Sequence, residues 1–230
     1  MSIDVDLTRL DELSRFAVPN WVRGVWQRGR IRTEGAERNE HLVVWIQTPT
    51  LYADVRTLRG HGAVPPKTPD EGFAGWLDVE GQICRWKRPI DLKPGPEDSD
   101  QGAMFYDGDD LIEIGIFGNY LEEYHRIDPA TRCFAASRGA FSIDGDNVLF
   151  DSKCPIDVLV SAGPYVTHAR RAKSSALRHG RYDASAGTVH FEVVVGDPAV
   201  FTSSEGTWTV WTDNALDRDA LLNAASAHQT

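Results

Sequence analysis

Cysteine is scarce in this chain. Cys84, Cys133 and Cys154 are odd in number and form no C-x-x-C pair, a pattern of reduced thiols rather than of a disulfide framework. Long apolar runs are missing too: no segment approaches the ~20 residues a helix needs to cross a bilayer. Met1-Ser2-Ile3-Asp4 carries neither the basic region nor the apolar core of a signal peptide, and no N-x-S/T acceptor occurs. A cytoplasmic protein with no membrane partner is the expectation. Positive charge is also short. With 24 Lys and Arg against 34 Asp and Glu, the net charge of −10 repels a phosphate polyanion over most of the surface, so no nucleic-acid partner is expected.

The familiar catalytic signatures are absent. There is no G-x-S-x-G, no G-x-x-x-x-G-K-[ST], no G-x-G-x-x-G and no H-E-x-x-H, and none of the seven His residues has metal-ligand spacing. Asp107-Gly108-Asp109-Asp110 and Asp144-Gly145-Asp146-Asn147 resemble calcium loops for four residues. Each then runs into an apolar residue, Leu111 or Val148, where oxygen ligands are needed, so both read as hairpin turns. No metal and no cofactor is expected.

What is present is a succession of short segments rich in Val, Ile, Trp, Tyr, Phe and Thr, punctuated by turn residues such as Glu34-Gly35, Glu80-Gly81 and Ala186-Gly187. The spacing predicts about fourteen strands, with no βαβ period. Two short helices flank them. One, over 5–16, carries a Leu7, Leu10, Leu13, Phe16 stripe; the other, over 214–226, carries Leu216, Leu221, Leu222 and Ala225, capped by Thr212, Asp213 or Asn214. Residues 60–70 and 93–101, rich in Pro, Gly and Asp, read as exposed loops. One stretch opposes the acidic average: His168 to Arg181 holds Arg170, Arg171, Lys173, Arg178 and Arg181 with no acid among them. It reads as a solvated loop or edge, with an anion-binding or partner-binding patch as the alternative.

Strand alternation sorts the polar residues into faces. Tyr52, Asp54 and Arg56 share one face, Cys84, Trp86 and Arg88 another, Leu111 and Glu113 a third. Residues 120–126 divide into Tyr120/Glu122/Tyr124/Arg126 and Leu121/Glu123/His125. If these faces point into a barrel, the charges must pair or meet a polar ligand, because unpaired burial costs several kcal/mol. If they point outward, they are solvated pairs. The inward case gives a cup whose ligand-binding set is Trp26, Gln47, Tyr52, Arg56, Trp86, Arg88 and Glu122. The same cup admits acid–base chemistry, with Asp54 or Glu113 as base and Tyr124 or His125 as acid.

Gly24-Val25-Trp26 and Gly206-Thr207-Trp208 carry the G-x-W pattern that in lipocalins places a Trp on the barrel floor, often under an Arg. From Trp45-Ile46-Gln47-Thr48 and Leu51-Tyr52-Ala53-Asp54-Val55-Arg56, through Phe73-Ala74-Gly75 and Cys84-Arg85-Trp86-Lys87-Arg88-Pro89-Ile90-Asp91, to Leu111-Ile112-Glu113-Ile114-Gly115 and Tyr120–Arg126, the chain resembles a group of uncharacterised bacterial and fungal β-barrel proteins. More distantly, it is similar to a fungal casein-kinase-interacting, lipocalin-like family. The resemblance covers roughly residues 21–127; it implies a β-barrel and brings no activity with it.

The fold expected is therefore all-β, antiparallel and lipocalin-like. It has two barrel halves: 1–130 as a barrel with a ligand cup, and 131–230 as a second β-barrel half with the terminal helix. The function expected is binding of a small hydrophobic or aromatic ligand, an aromatic or fatty carboxylate. The alternatives are a cofactor-independent isomerase or lyase using the cup, and a protein-interaction module, with a homodimer left open.

Overall fold

Residues 3–58, 71–96, 100–202, 206–215 and 217–227 are described by a computed structural model. The chain begins with β1 (Val5–Asp6) and α1 (Leu10–Ser14). It continues through β2 (Gly24–Thr33), β3 (Ala36–Arg38), β4 (His41–Gln47), β5 (Leu51–Leu58), β6 (Glu71–Glu80) and β7 (Ile83–Asp91). Next come β8 (Gln101–Asp107), β9 (Asp110–Gly115), β10 (Tyr120–Asp128), β11 (Cys133–Arg138), β12 (Phe141–Asp144) and β13 (Asn147–Phe150). It ends with β14 (Ile156–Ala162), β15 (Tyr165–Arg171), β16 (Ser175–Asp183), β17 (Thr188–Gly196), β18 (Trp208–Asp213) and α2 (Arg218–Ser226).

Antiparallel neighbours run in the order β10-β9-β8-β7-β6-β5-β4-β2, and β10 pairs back onto β2. The result is a closed eight-stranded antiparallel barrel, with β3 as a short appendage on β2. Closure satisfies every ladder within the ring and leaves no open edge. The remaining strands form a seven-stranded sheet, β1-β18-β11-β14-β15-β16-β17, in which β1 joins β18 in parallel. Among the described residues, its outer strands β1 and β17 are not paired to each other, so this sheet is open where the sequence suggested a second barrel half.

Alternation assigns the cores. Along β4 and β5, Val43, Trp45 and Tyr52 enter the barrel, where they meet Trp26, Phe73, Leu77, Cys84, Trp86, Met104, Leu111 and Tyr124. Their neighbours Ile46, Leu51, Ala53 and Val55 face outward, and water does not meet them. They pack on Ala135, Val158, Val160, Ala169, Leu177 and Trp211 of the second sheet. These strands are thus buried on both faces, which accounts for the nearly unbroken apolar run from Leu42 to Val55. The far face of the second sheet is covered by α2, through Leu221, Leu222 and Ala225 against Phe134, Leu159 and Trp208.

Several expectations need correction. The first helix is one short turn, Leu10–Ser14, because Val5 and Asp6 are drawn into the sheet beside Trp208 and Thr209. The C-terminal helix is capped by Asp217, whose carboxylate accepts from the Ala220 N–H at 2.9 Å, and not by residues 212–214. Leu216, residues 60–70 and residues 97–99 lie outside the described residues. The basic segment is solvated only in part: Lys173 and Arg181 are exposed, but β15 and β16 are interior strands of the sheet, and His168, Arg170 and Arg178 on them are buried.

Cys84 and Cys133 are buried in different cores, and all three thiols are unpaired. Thiol titration without reductant should return three groups per unfolded chain, with Cys84 and Cys133 slow to react in the native protein. A single reactive thiol after unfolding would mean that a disulfide exists.

Candidate functional site

The lower half of the barrel is filled. Trp26 stacks on Trp45 with ring centroids 6.1 Å apart, and Trp45 meets Trp86 and Tyr124 edge-on at 6.1 and 5.7 Å. Trp26 donates its indole N–H to the Val22 carbonyl at 2.9 Å, and the Arg126 guanidinium lies 4.4 Å over its ring. These rings and the guanidinium close this end of the barrel. Above the tryptophans a cavity of about 180 Å³ opens at the other end. It is lined by Ile31, Thr33, Trp45, Asp54, Arg56, Phe73, Trp86, Arg88, Asp100, Glu113, Tyr120, Glu122 and Tyr124.

Charge in this cup is arranged in pairs. Asp54 accepts from Arg56 Nε at 2.7 Å two residues along the same strand. Glu122 accepts from Arg28 Nη1 at 2.6 Å and from the Tyr124 hydroxyl. Arg88 donates to Asp100 and, at 3.4 Å, to Asp91. The Phe73 ring is shared by both cup arginines, with Arg88 3.5 Å and Arg56 4.9 Å from its centroid. Among the described residues Glu113 forms no ion pair; it accepts the Tyr120 hydroxyl, at 2.7 Å, and feels the Arg56 charge without a direct contact. Burial, reinforced by the Glu122 charge, pushes its pKa up to about 8. Burial also raises the Tyr120 and Tyr124 phenols well above their ordinary value.

Backbone details place these groups. On β2, a bulge at Gly29 shifts the alternation, so that Trp26 and Arg28 point inward before it and Ile31 and Thr33 after it. A Cβ at Gly29 would lie 2.4 Å from His125 Nε2. On β8, Gly102 lets the Glu113 side chain cross the strand: a Cβ there would sit 2.7 Å from Glu113 Cγ. On β7, the irregular register beyond Lys87 keeps Trp86 and Arg88 inside while Ile90 turns outward into the core shared with the second sheet.

Of the sequence-predicted residues, the structure brings Asp54, Arg56, Trp86, Arg88, Glu113, Glu122 and Tyr124 to one cavity. Tyr52 lies inside the barrel behind Phe73, its hydroxyl 3.4 Å from the Lys87 carbonyl, and does not line the cup. Trp26 is at the closed end, and Gln47 is buried with its amide donating to the Thr48 carbonyl. His125 is corrected: it is exposed on the outside of the barrel, where Nδ1 sits 2.5 Å from Asp110, and cannot reach the cup. Asp110, Glu123 and His125 hold their ligand atoms within 4.8 Å of one another. Arg30 already neutralises Glu123 at 2.9 Å, a charge any metal ion would have to displace.

Sequence reading missed Ile31, Thr33, Trp45, Phe73, Asp100 and Tyr120 as lining residues. Tyr120 was legible, since it shares a strand face with Glu122 and Tyr124. Ile31 and Thr33 were hidden by the bulge.

Two outcomes follow from this geometry. Asp54→Ala strands Arg56 in a largely buried site and should lower stability by about 3 kcal/mol, whereas an exposed pair would lose at most about 1 kcal/mol. Denaturation midpoints decide between them. Glu113 titrates near 8 folded and in the ordinary carboxylate range unfolded, so the native state holds its proton while the unfolded chain has lost it. Its stabilising contribution is complete below the unfolded value and declines as pH rises through about 8. Glu113→Gln should flatten that decline in denaturant midpoints measured from acid to pH 9; an unchanged pH profile would remove Glu113 as its source.

No protein-family model matches the chain, and no curated protein is similar to it in sequence. Its fold is similar to the crystal structure of the uncharacterized protein YLR301w from Saccharomyces cerevisiae, with a TM-score of 0.56 over 80% of this chain and 89% of that one, at 10% identity.

Proposed function

We propose that the barrel mouth binds a small, flat molecule carrying carbonyl-type oxygens. One observation carries this reading: three buried polar atoms on residues that line the cavity have no hydrogen-bond partner, namely Thr33 Oγ1, Trp45 Nε1 and Arg88 Nε. Two of them are N–H donors. Leaving each unsatisfied costs about 1–3 kcal/mol, a cost a ligand with acceptor oxygens offsets. Trp45, Trp86 and Phe73 supply walls for a planar body.

The ligand class expected from sequence narrows on two grounds. The tryptophans occupy the barrel below the mouth, so a long acyl chain has no room. Arg56 and Arg88 already carry carboxylates of the protein itself, so an anionic ligand meets no uncompensated positive charge. A neutral aromatic amide, ketone or aldehyde fits better than the matching acid.

A second reading, acid–base catalysis on such a molecule without a cofactor, is favoured by Glu113. Its carboxyl is protonated at neutral pH beside the Tyr120 hydroxyl, the state of a general acid.

Screening matched aromatic amides and acids by tryptophan fluorescence tests the binding reading. Quenching by the neutral member is expected. Trp45→Phe, which removes the indole N–H donor together with part of the aromatic wall, should weaken binding by at least about 1–1.5 kcal/mol in calorimetry, and Arg88→Met by about 1.5–3 kcal/mol. No quenching by either set, or an affinity untouched by both substitutions, would rule the mouth out as the site.

A further inference from the structure

The basic segment that the barrel does not use builds a second polar system, on the α2 side of the open sheet. Cross-strand pairing sets it up. Arg138 lies opposite Asp157, and Asp157 opposite Arg170, so one carboxylate stands between two guanidiniums on three adjacent strands. Asp157 Oδ2 accepts from Arg138 Nε at 3.1 Å and from Arg170 Nη1 at 2.7 Å, and its Oδ1 lies 2.8 Å from His168 Nε2. Arg178 Nε donates to His168 Nδ1 at 3.1 Å, so His168 is the neutral tautomer with its proton on Nε2. Burial, with the nearby arginines, depresses its pKa to about 4, despite the opposing pull of Asp157. All five residues are buried.

Charge does not balance here. Arg178 directs Nη2 at the carbonyls of Ala224 and Ala225, at 3.0 and 2.8 Å, where the C-terminal end of α2 carries partial negative charge. Among the described residues, that leaves Arg138 and Arg170 sharing the single charge of Asp157. Arg138 Nη2 and Arg170 Nε are both buried without a hydrogen-bond partner. An excess buried guanidinium charge costs several kcal/mol unless an anion accompanies it. Beside it lies a cavity of about 700 Å³, bounded by Arg138, Arg170, Asp157, Cys154, Thr207 and Thr209. It is far larger than the barrel mouth and opens to solvent. Asp157 is the one acid among its described lining residues, and both of its oxygens are engaged by Arg138, Arg170 and His168.

We propose that this cavity binds the phosphate group of a small phosphomonoester, held by Arg138 and Arg170. Two guanidiniums that already flank one carboxylate supply divergent N–H donors, which suit the several oxygens of a tetrahedral oxyanion better than the two of a planar carboxylate. The volume beyond the arginines leaves space for the esterified group, which inorganic phosphate does not need. The chain as a whole is acidic, so the site selects a compact anion and not a polyanion.

The probes are glycerol phosphate, inorganic phosphate and chloride at matched ionic strength, followed by phosphorus NMR line width and by thermal unfolding. Saturable broadening and a rise in Tm are expected with glycerol phosphate, weaker with inorganic phosphate and absent with chloride. Arg170→Met and Arg138→Met should each weaken binding tenfold or more, in line with the ~1.5–3 kcal/mol of a charged hydrogen bond. Asp157→Asn should enlarge the phosphate-induced rise in Tm, because the anion then replaces the lost carboxylate. If the arginine variants fail to fold, the wild-type Tm decides alone: equal shifts with phosphate and chloride overturn the proposal. So do binding that both arginine variants retain, and inorganic phosphate binding as tightly as the ester, which would deny the cavity its organic ligand.

Discussion

The ladder between β2 and β10 is the contact on which the cup depends. It joins strands about ninety residues apart in sequence, and its register sets Glu122 against Ile31 and Tyr124 against Arg28. Through it the Arg28–Glu122 pair becomes a buried pair across the seam, with Tyr124 donating to the same carboxylate. Open that seam and Glu122 faces water, the pressure on Glu113 falls, and the tryptophan column loses the wall formed by Tyr124. The electrostatics of the mouth are thus a product of closure, and closure in turn removes the exposed edges that a nine-stranded open sheet would present.

Two polar interiors of opposite balance share the molecule. The mouth places five carboxyls, Asp54, Asp91, Asp100, Glu113 and Glu122, near three guanidiniums, Arg28, Arg56 and Arg88. It lessens the surplus by keeping one carboxyl, that of Glu113, protonated. The far side of the open sheet sets Arg138, Arg170 and Arg178 against Asp157 and holds its histidine neutral. A guanidinium cannot shed its proton in this way, so the second surplus calls for a helix end or an outside anion where a bound proton already lessens the first. The apolar layer between barrel and sheet keeps the two systems apart.

Much of this was legible from alternation. The face shared by Asp54 and Arg56 and the face shared by Trp86 and Arg88 follow from a period of two, and both enter the barrel. Which way they pointed did not follow, because β4 and β5 are apolar on both sides and offer no solvent face to orient them. The bulge at Gly29 changed the phase on β2, hiding Ile31 and Thr33. Phe73 and Asp100 reach the mouth through Arg88, a contact no local pattern encodes. The run from His168 to Arg181 contains no acid of its own, so it read as solvated; its counter-charge, Asp157, sits on a neighbouring strand and became visible only with the sheet order. Local spacing reports faces, and partners come from topology.

The parallel pairing of Val5–Asp6 with Trp208–Thr209 has a consequence for how the molecule assembles. A chain emerging vectorially can close the barrel once residue 128 is available, since all eight staves lie between residues 24 and 128. The open sheet cannot be completed until β18 has been made and has found a strand synthesised some two hundred residues earlier. Its contacts are of high sequence separation, the kind that form slowly. Until β11 and β14 to β16 follow, the barrel's outer faces on β4 and β5 wait uncovered, and until β18 they lack the Trp211 side chain. The interval between barrel closure and the docking of β14 to β16 is therefore the time when a nascent chain is most exposed to aggregation, and the edge of β11 that β18 will take stays open longest.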